Sequence, residues 1–331
     1  MRSLILGTGR AVPARVVTND DLAQMMDTSD EWIRTRTGIR ERRWIEPGDT
    51  GVGLGTQAAR AAIQSADLAP ADLDAIVYAT STPDRFTPGN GVYLQRELGI
   101  TATIPAIDIR MQCAGFIYAL SIADAYIRTG AFRHVLVVGQ EIQSTRMELT
   151  TEGRNTAVIF ADGAGAVVVG STDAPGRGVL AFDLHGDGQH AEKLWVEGPG
   201  ALAPPTNWEQ EQAEGRFWLK MDGREVFRHA VARMPESVRA ALARANERVE
   251  DISLLIPHQA NLRISEAVQK ELGLREDQTY NNIQRYGNTT AATIPIALDE
   301  CAGAGRLTPG DLVVLTAFGS GFVWGSCVLR W

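Results

Sequence analysis

Apolar residues along this chain fall into short continuous blocks and longer stretches at helical spacing, and the two kinds alternate. An alanine-rich helical stretch from Gln57 to Ala66 passes through Asp72-Leu73-Asp74 into Ala75-Ile76-Val77-Tyr78-Ala79. That block has no polar face, so it predicts a strand buried on both sides that stops at Thr80. Further on, a helical run from Glu225 to Asn246 passes through Val249-Glu250-Asp251 into Leu254-Leu255-Ile256 and stops at His258. Continuous apolar strands separated by helical segments predict parallel sheets covered on both faces.

The correspondence between these stretches continues. Downstream of each strand a turn of small residues opens a helix, Gln112-Cys113-Ala114-Gly115 in one place and Gly287-Asn288-Thr289-Thr290 in the other. Each is followed by another buried strand, Val135-Leu136-Val137-Val138 or Leu312-Val313-Val314-Leu315. Each series closes on a glycine-turned pair of apolar runs, around Asp162-Gly163-Ala164-Gly165 and around Gly319-Ser320-Gly321. Four landmarks in one order predict a duplicated α/β unit. Asp, Pro and Gly cluster at Ser171–Gly178 and place the boundary there, giving halves 1–172 and 173–331. In a pseudo-symmetric pair, equivalent helix starts and strand ends meet at the central junction, and Cys113, His258 and Asn288 occupy such points.

Composition narrows the function without naming it. The chain has 331 residues, 44% hydrophobic and 22% charged, and a net charge of −8. An acidic balance disfavours nucleic acid, because phosphate binding needs a basic surface. No run approaches the ~20 apolar residues of a membrane span, and the N-terminal Met1–Gly9 segment reads as a strand into a glycine turn, not as a signal peptide. The three cysteines, Cys113, Cys301 and Cys327, are odd in number and lack metal-ligand spacing, which predicts no metal site and a reduced, cytoplasmic setting.

Cys113 stands where a strand gives way to a helix, and a thiol at a helix N-terminus is expected to gain thiolate character from the macrodipole and unpaired N–H groups. Ala114 and Gly115 leave room for a substrate. Cys301 and Cys327 read as packed core thiols. His258 follows a buried strand at its carboxyl end, where open α/β sheets place ligands, and sits in the polar cluster His258-Gln259-Ala260-Asn261-Leu262-Arg263. Asn288 by itself reads as a turn or cap residue. A Cys–His–Asn set also serves cysteine proteases, where the Asn orients the imidazole, so chemistry alone leaves more than one reaction class open.

A resemblance is specific at this point. The segments Ser29-Asp30-Glu31-Trp32-Ile33 with Thr35-Arg36-Thr37-Gly38-Ile39, Cys113-Ala114-Gly115-Phe116, Asp162-Gly163-Ala164-Gly165-Ala166, His258–Ile264, Tyr286-Gly287-Asn288-Thr289, and Gly321-Phe322 before Trp324-Gly325 come in order over nearly the whole chain. Together they resemble the thiolase-fold condensing enzymes, most closely the β-ketoacyl-[acyl-carrier-protein] synthase III family. The resemblance implies a layered α-β-α-β-α sandwich and a cytoplasmic homodimer that holds no permanent cofactor. It implies decarboxylative condensation of an acyl-CoA with a malonyl thioester carried by acyl carrier protein or CoA, initiating fatty-acid or related acyl-chain synthesis. Cys113 would be the nucleophile, His258 and Asn288 the donors to the thioester oxygen, and the backbone N–H groups of Cys113 and Ser320 a second oxyanion hole. By position, Thr28, Trp32, Arg36, Arg154 and Asn261 would contact CoA, with Trp32 and Arg154 sandwiching the adenine. Arg228, Gln259 and Arg263 would dock the carrier protein, and Thr87 and Phe318 would line the acyl pocket.

Departures bear on the acyl group. Met111 and Gln112 precede the nucleophile where small residues are usual, and Ser320 stands in place of a glycine. Thr87 stands where a bulky aromatic can close the pocket across a dimer interface, so chains longer or more branched than acetyl are expected to fit. The proline- and glutamate-rich segment Gly198–Gly215 is a lid or a surface excursion. Other readings are a specialised ketosynthase or acyltransferase of secondary metabolism, a hydrolase using the same Cys113 thioester, and a non-catalytic ketosynthase partner. The last is disfavoured because all three residues are present.

Overall fold

The computed structural model describes residues 2–198, 200–201 and 207–331. The expectation of a lid or surface excursion over 198–215 falls partly on residue 199 and residues 202–206, which lie outside the described residues.

Strands β1 (Arg2–Ala11), β2 (Ala75–Ala79), β3 (Ala106–Ile109), β4 (His134–Ile142) and β5 (Asp162–Thr172) form one sheet in the order β1-β5-β4-β2-β3. Its β2 runs parallel to both β3 and β4, while β5 runs antiparallel between β4 and β1. The second sheet contains β6 (Gly178–Gly186), β7 (Leu254–Pro257), β8 (Leu312–Gly319) and β9 (Val323–Arg330) in the order β7-β8-β9-β6. There β7 is parallel to β8, and β9 is antiparallel to both β8 and β6. The connectivity of the first sheet thus recurs in the second. The position matching β3 is reduced to a parallel bridge between Leu255 and Thr279.

Short 3-10 turns precede the matching strands, Pro70–Asp72 before β2 and Val249–Asp251 before β7. Two more, Gln112–Ala114 and Thr290–Ala292, open the helices that end up in the middle of the molecule. In chain order the larger helices are α1 (Asp30–Thr37), α2 (Gly51–Ser65), α3 (Asn90–Glu97), α4 (Gly115–Arg128), α5 (Gly223–Ala245), α6 (Leu262–Leu272) and α7 (Thr293–Gly303). One core cluster joins Phe116, Leu120 and Ile127 of α4 and Ile294 and Leu298 of α7 to Val77 and Val137 of the first sheet and Val313 and Leu315 of the second. Helices α2 and α3 pack on the outer face of the first sheet, α5 and α6 on that of the second. The order of layers is therefore α-β-α-β-α. A helix covered from both sides is expected to be mostly apolar, as α4 is, with its buried Asp124 accepting from the Ser3 hydroxyl at 2.6 Å.

Glycine sets how closely the layers approach. A Cβ on Gly165 of β5 would stand 2.7 Å from Pro295 Cβ of α7, and one on Gly139 of β4 would overlap the Ala291 carbonyl. A Cβ on Gly115, the first residue of α4, would stand 3.1 Å from Ala79 Cβ and 3.3 Å from Ala291 Cβ. Gly139→Ala is expected to destabilise by about 1–3 kcal/mol, the usual range for overpacking a tight core. Urea unfolding checks it, and unchanged stability would mean that the contact relaxes freely.

Candidate active site

Cys113 lies in the 3-10 turn ahead of α4, with Gln112 before it at the unusual backbone angle φ +43°. A positive φ outside glycine is a locally strained conformation, and such positions concentrate at functional sites. Across from the thiol is the β8–β9 turn, where a Cβ on Gly319 would lie 2.7 Å from Cys113 Cβ and 3.2 Å from its sulfur. That closeness brings the backbone N–H groups of Cys113 and Ser320 to the sulfur, where they favour thiolate. Burial outweighs them and, with the charge of Glu141 acting in the same sense, pushes the thiol up to about 12. The expectation of a thiolate stabilised by the helix start is corrected: desolvation dominates, and the resting nucleophile is a neutral thiol.

His258 follows β7 directly and is buried, and burial pushes its imidazole down to about 3, so the ring is neutral at ordinary pH. Its Nδ1 lies 2.7 Å from the Thr293 hydroxyl, and its Nε2 is buried with no partner. The Thr293 hydroxyl also lies 3.0 Å from the Thr290 carbonyl. One proton therefore has two acceptors. When Thr293 donates to Nδ1, the ring proton is on Nε2 and the free nitrogen is a donor; when Thr293 donates to Thr290, Nε2 presents a lone pair.

Asn288 is fixed by the chain around it. Its N–H donates to the Ile159 carbonyl at 2.9 Å, and its own carbonyl accepts from Ala161 N–H at 2.9 Å. The side-chain Oδ1 accepts from Thr290 N–H at 2.8 Å, which leaves the Nδ2 amide free to donate. The histidine's partner is Thr293, so Asn288 does not orient the imidazole. That observation removes the protease-like arrangement left open by the three residue types.

Cys113, His258 and Asn288 share the lining of a channel of about 540 Å³, together with Trp32, Arg36, Asn261, Arg263 and Phe318. At its rim the Arg36 and Arg154 guanidiniums lie 4.4 Å and 5.1 Å from the Trp32 ring centroid. Arg154 also lies 3.4 Å from the Asp27 carboxylate. Asn261 caps α6 by accepting from Arg263 N–H at 2.9 Å and ties α6 to α1 by donating to the Arg36 carbonyl at 2.9 Å. Thr28 lies just ahead of α1 with its buried hydroxyl unpartnered, and Arg228 is an exposed residue paired with Glu225 at 2.6 Å.

One expectation needs correction. Gln259 is not a docking residue: it is buried, donates to the Pro257 carbonyl at 2.7 Å and accepts from Asn282 N–H at 2.9 Å. Phe318 lines the channel beside His258, in a cavity that Cys113 also touches. Thr87, expected to act on the pocket of a dimer partner, lies in an exposed turn and within its own chain lines neither of the cavities that Cys113 touches.

The second of those cavities, about 270 Å³, meets Cys113 and Ser320 and is lined by Ser81, Thr82, Arg110, Gln112, Gln143 and Arg146 along with Phe160, Leu194 and Leu219. The turn carrying Gln143 and Arg146 is held by Asp162 of the Asp-Gly-Ala-Gly stretch, whose carboxylate accepts from Gln143 N–H at 2.7 Å and Ser144 N–H at 2.8 Å. Buried Glu141 accepts from Ser81 Oγ at 2.8 Å and Thr82 Oγ1 at 2.7 Å. Sequence reasoning missed Thr293, Glu141, Arg110 and Arg146. Only Arg110 carried a signal, as the neighbour of the already unusual Met111-Gln112. Among the described residues no group of three His, Cys, Asp or Glu side chains could hold a metal ion, and no helix is long and apolar enough to cross a membrane.

Sequence profiles of 3-oxoacyl-[acyl-carrier-protein] synthase III match residues 107–188, and those of its C-terminal region match 242–331. The β-ketoacyl-[acyl-carrier-protein] synthase III of Brucella suis is 45% identical over 335 aligned positions covering 100% of both chains. The crystal structure of 3-oxoacyl-[acyl-carrier-protein] synthase III from Aquifex aeolicus superposes with a TM-score of 0.91 at 40% identity, covering 99% of this chain and 100% of that one. The priming β-ketosynthase of the R1128 polyketide pathway superposes with the same TM-score, 0.91, at 35% identity, covering 99% of this chain and 96% of that one. The fold is that of the thiolase-like condensing enzymes, which are acyltransferases. Within that class, the chain belongs to the β-ketoacyl-[acyl-carrier-protein] synthase III family.

A buried neutral thiol has a testable pH signature. Because its pKa is raised, the thiolate fraction is small at neutral pH and grows about tenfold per unit. Alkylation of Cys113 by iodoacetamide is expected to keep rising between about pH 8 and 10, where an unperturbed thiol near 8.5 levels off. Peptide mass spectrometry locates the adduct, and a plateau below about pH 9 would contradict the burial argument.

Proposed function

We propose that this chain condenses an acyl-CoA starter with a malonyl thioester borne by acyl carrier protein, initiating acyl-chain synthesis. The observation that carries the reading is the pair of neutral groups beside Cys113: a histidine nitrogen with no partner and an amide whose oxygen alone is engaged. Two aligned donors suit an oxyanion that forms during the reaction.

In the first half-reaction the Cys113 sulfur bonds to the acyl carbonyl carbon, the carbon–sulfur bond to CoA breaks, and the proton leaves on the CoA thiol. The N–H groups of Cys113 and Ser320 receive the transient oxyanion. In the second, the malonyl thioester oxygen accepts from His258 Nε2 and Asn288 Nδ2. The carboxylate departs as CO2, and its electron pair becomes the enolate. The enolate carbon then bonds to the acyl carbon, the bond to sulfur breaks, and the Cys113 thiolate takes a proton from solvent. This step needs Nε2 as a donor, so Thr293 serves by donating to Nδ1.

Trp32 with Arg36 and Arg154 suits a nucleotide at the channel rim, since a flat aromatic and guanidiniums stack on a base. Arg228 and Arg263 suit an acidic carrier protein, giving an otherwise acidic chain a local basic patch. No permanently bound cofactor enters the scheme, and its CoA and carrier-protein substrates suit the cytoplasm. The reading divides the chain into halves 1–172 and 173–331 and takes it as a homodimer. Phe86, 74% exposed beside Thr87, and the half-covered edge strand β3 support the dimer. Light scattering at micromolar concentration is expected to give twice the chain mass, and a fully active monomer would overturn the dimer.

Cys113→Ala is expected to form no adduct with acyl-CoA by intact-mass spectrometry. Asn288→Ala should still be acylated at near the native rate yet release CO2 from malonyl thioester about 100- to 1000-fold more slowly, the usual effect of removing one oxyanion donor. Equal loss of both steps would sink the division of labour. Steady release of free acid without β-ketoacyl product would favour a hydrolase.

A further inference from the structure

The cavity on the other side of Cys113 has a chemistry that an alkyl chain does not need. Cys113 lines both cavities, and His258 and Asn288 line only the larger one. The incoming extender must reach those two donors while the first acyl group is still attached to Cys113. The attached group therefore has to lie in the smaller cavity, out of the extender's way.

Two arginines line that smaller cavity. Arg110 ends the segment leaving β3, at the open side, and Arg146 stands half-buried in the turn fixed by Asp162. Among the described residues neither guanidinium has a hydrogen bond or ion pair, whereas many arginines elsewhere do, such as Arg330 with Glu247 at 2.7 Å and Arg285 with Glu300 at 3.0 Å. Their positive charges repel: burial and the nearby Arg110 both act to lower the pKa of Arg146, and the charge of Glu141 offsets them only in part. The carboxyl of Glu141 is tied to Ser81, Thr82 and Gln143 and forms no ion pair with either arginine. Around the arginines the wall is mixed, with polar Gln112 and Gln143 beside apolar Phe160, Leu194, Trp195, Val196 and Leu219.

A fatty acyl chain here would desolvate two cations and give them no partner, which is costly. A carboxylate would meet both, and the guanidinium fork matches its two oxygens. We propose that the acyl group transferred to Cys113 ends in a carboxylate, so that the starter is the mono-CoA thioester of a short α,ω-dicarboxylic acid. The thioester end reacts at Cys113, the few methylenes lie along Phe160, Leu194 and Leu219, and the free carboxylate pairs with Arg146 and Arg110. This replaces the expectation of a longer or branched alkyl starter. It rests on the condensing reading above and names that site's substrate class. The bond changes are those of ordinary transacylation: the sulfur–carbon bond to Cys113 forms, that to CoA breaks, and the CoA thiol carries away the proton.

The test measures kcat/KM for β-ketoacyl product with succinyl-, glutaryl- and adipyl-CoA beside butyryl-, valeryl- and hexanoyl-CoA, each with malonyl-carrier protein. At least one charged starter is expected to exceed its uncharged counterpart by tenfold or more. Arg146→Gln should cut that ratio by at least tenfold and Arg110→Gln by less, with thermal melts confirming that each variant is folded. Raised salt should weaken the preference, as it does for any charge pair open to solvent. A wild-type enzyme that uses the uncharged starters as well or better overturns this inference and leaves the condensing reading standing. Failure of both classes to acylate Cys113 overturns both. A ratio unchanged in folded Arg146→Gln also overturns the assignment, because the carboxylate is then recognised elsewhere.

Discussion

The site depends on the distance at which two buried helices meet the strands beside them. Helices α4 and α7 lie between the sheets, and their opening turns touch through residues with little or no side chain: Gly115 against Ala79 and Ala291, Gly139 against the Ala291 carbonyl, Gly165 against Pro295. Side chains larger than these would push the layers apart. Cys113 is carried by the turn before α4, and Thr290 and Thr293, which fix Asn288 and His258, by the turn and first residue of α7. Any widening of this junction separates nucleophile from donors, so packing and chemistry are one constraint here.

Much of that junction was legible in the sequence, because it is written in features that local physics reads. The apolar blocks at Ala75–Ala79 and Leu254–Ile256 have no polar face and became strands within a residue of their expected ends. The matching turns at Cys113 and Asn288 revealed the duplication, and the sheet order repeats it. What stayed hidden depends on neighbours distant in the chain. Gln259 sits in a polar stretch and looks available, yet its amide joins Pro257 to Asn282 in the interior. Thr293 opens an apolar helix and gives no sign that a histidine 35 positions earlier in the chain leans on it.

The same limit explains the nucleophile's charge. A helix start argues for thiolate when the thiol is open to water. The sequence does not show that Gly319 lets the β8–β9 turn close over the sulfur, nor that Glu141 lies near enough to oppose its ionisation. Both effects come from the second half of the chain or from the sheet beneath. Both favour the neutral form, and the backbone N–H groups of Cys113 and Ser320 favour the anion less strongly.

One sulfur thus faces two environments of different sign. On the channel side the two groups beside Cys113 are neutral: His258 is uncharged at ordinary pH with one ring proton to donate, and Asn288 offers an amide. Neutral donors stabilise a charge that appears only in the transition state without attracting a resting anion that would block the channel. On the opposite side the wall carries the positive charges of Arg110 and Arg146, neither of them in an ion pair among the described residues and only partly offset by the charge of Glu141. Fixed cations suit the reverse case, a charge present in the substrate before the reaction and after it. The contrast divides the labour around Cys113: transient charge is met by hydrogen-bond donors and permanent charge by guanidiniums. Exchanging the two would weaken each, because a cation beside His258 would trap the malonyl carboxylate before it leaves as CO2.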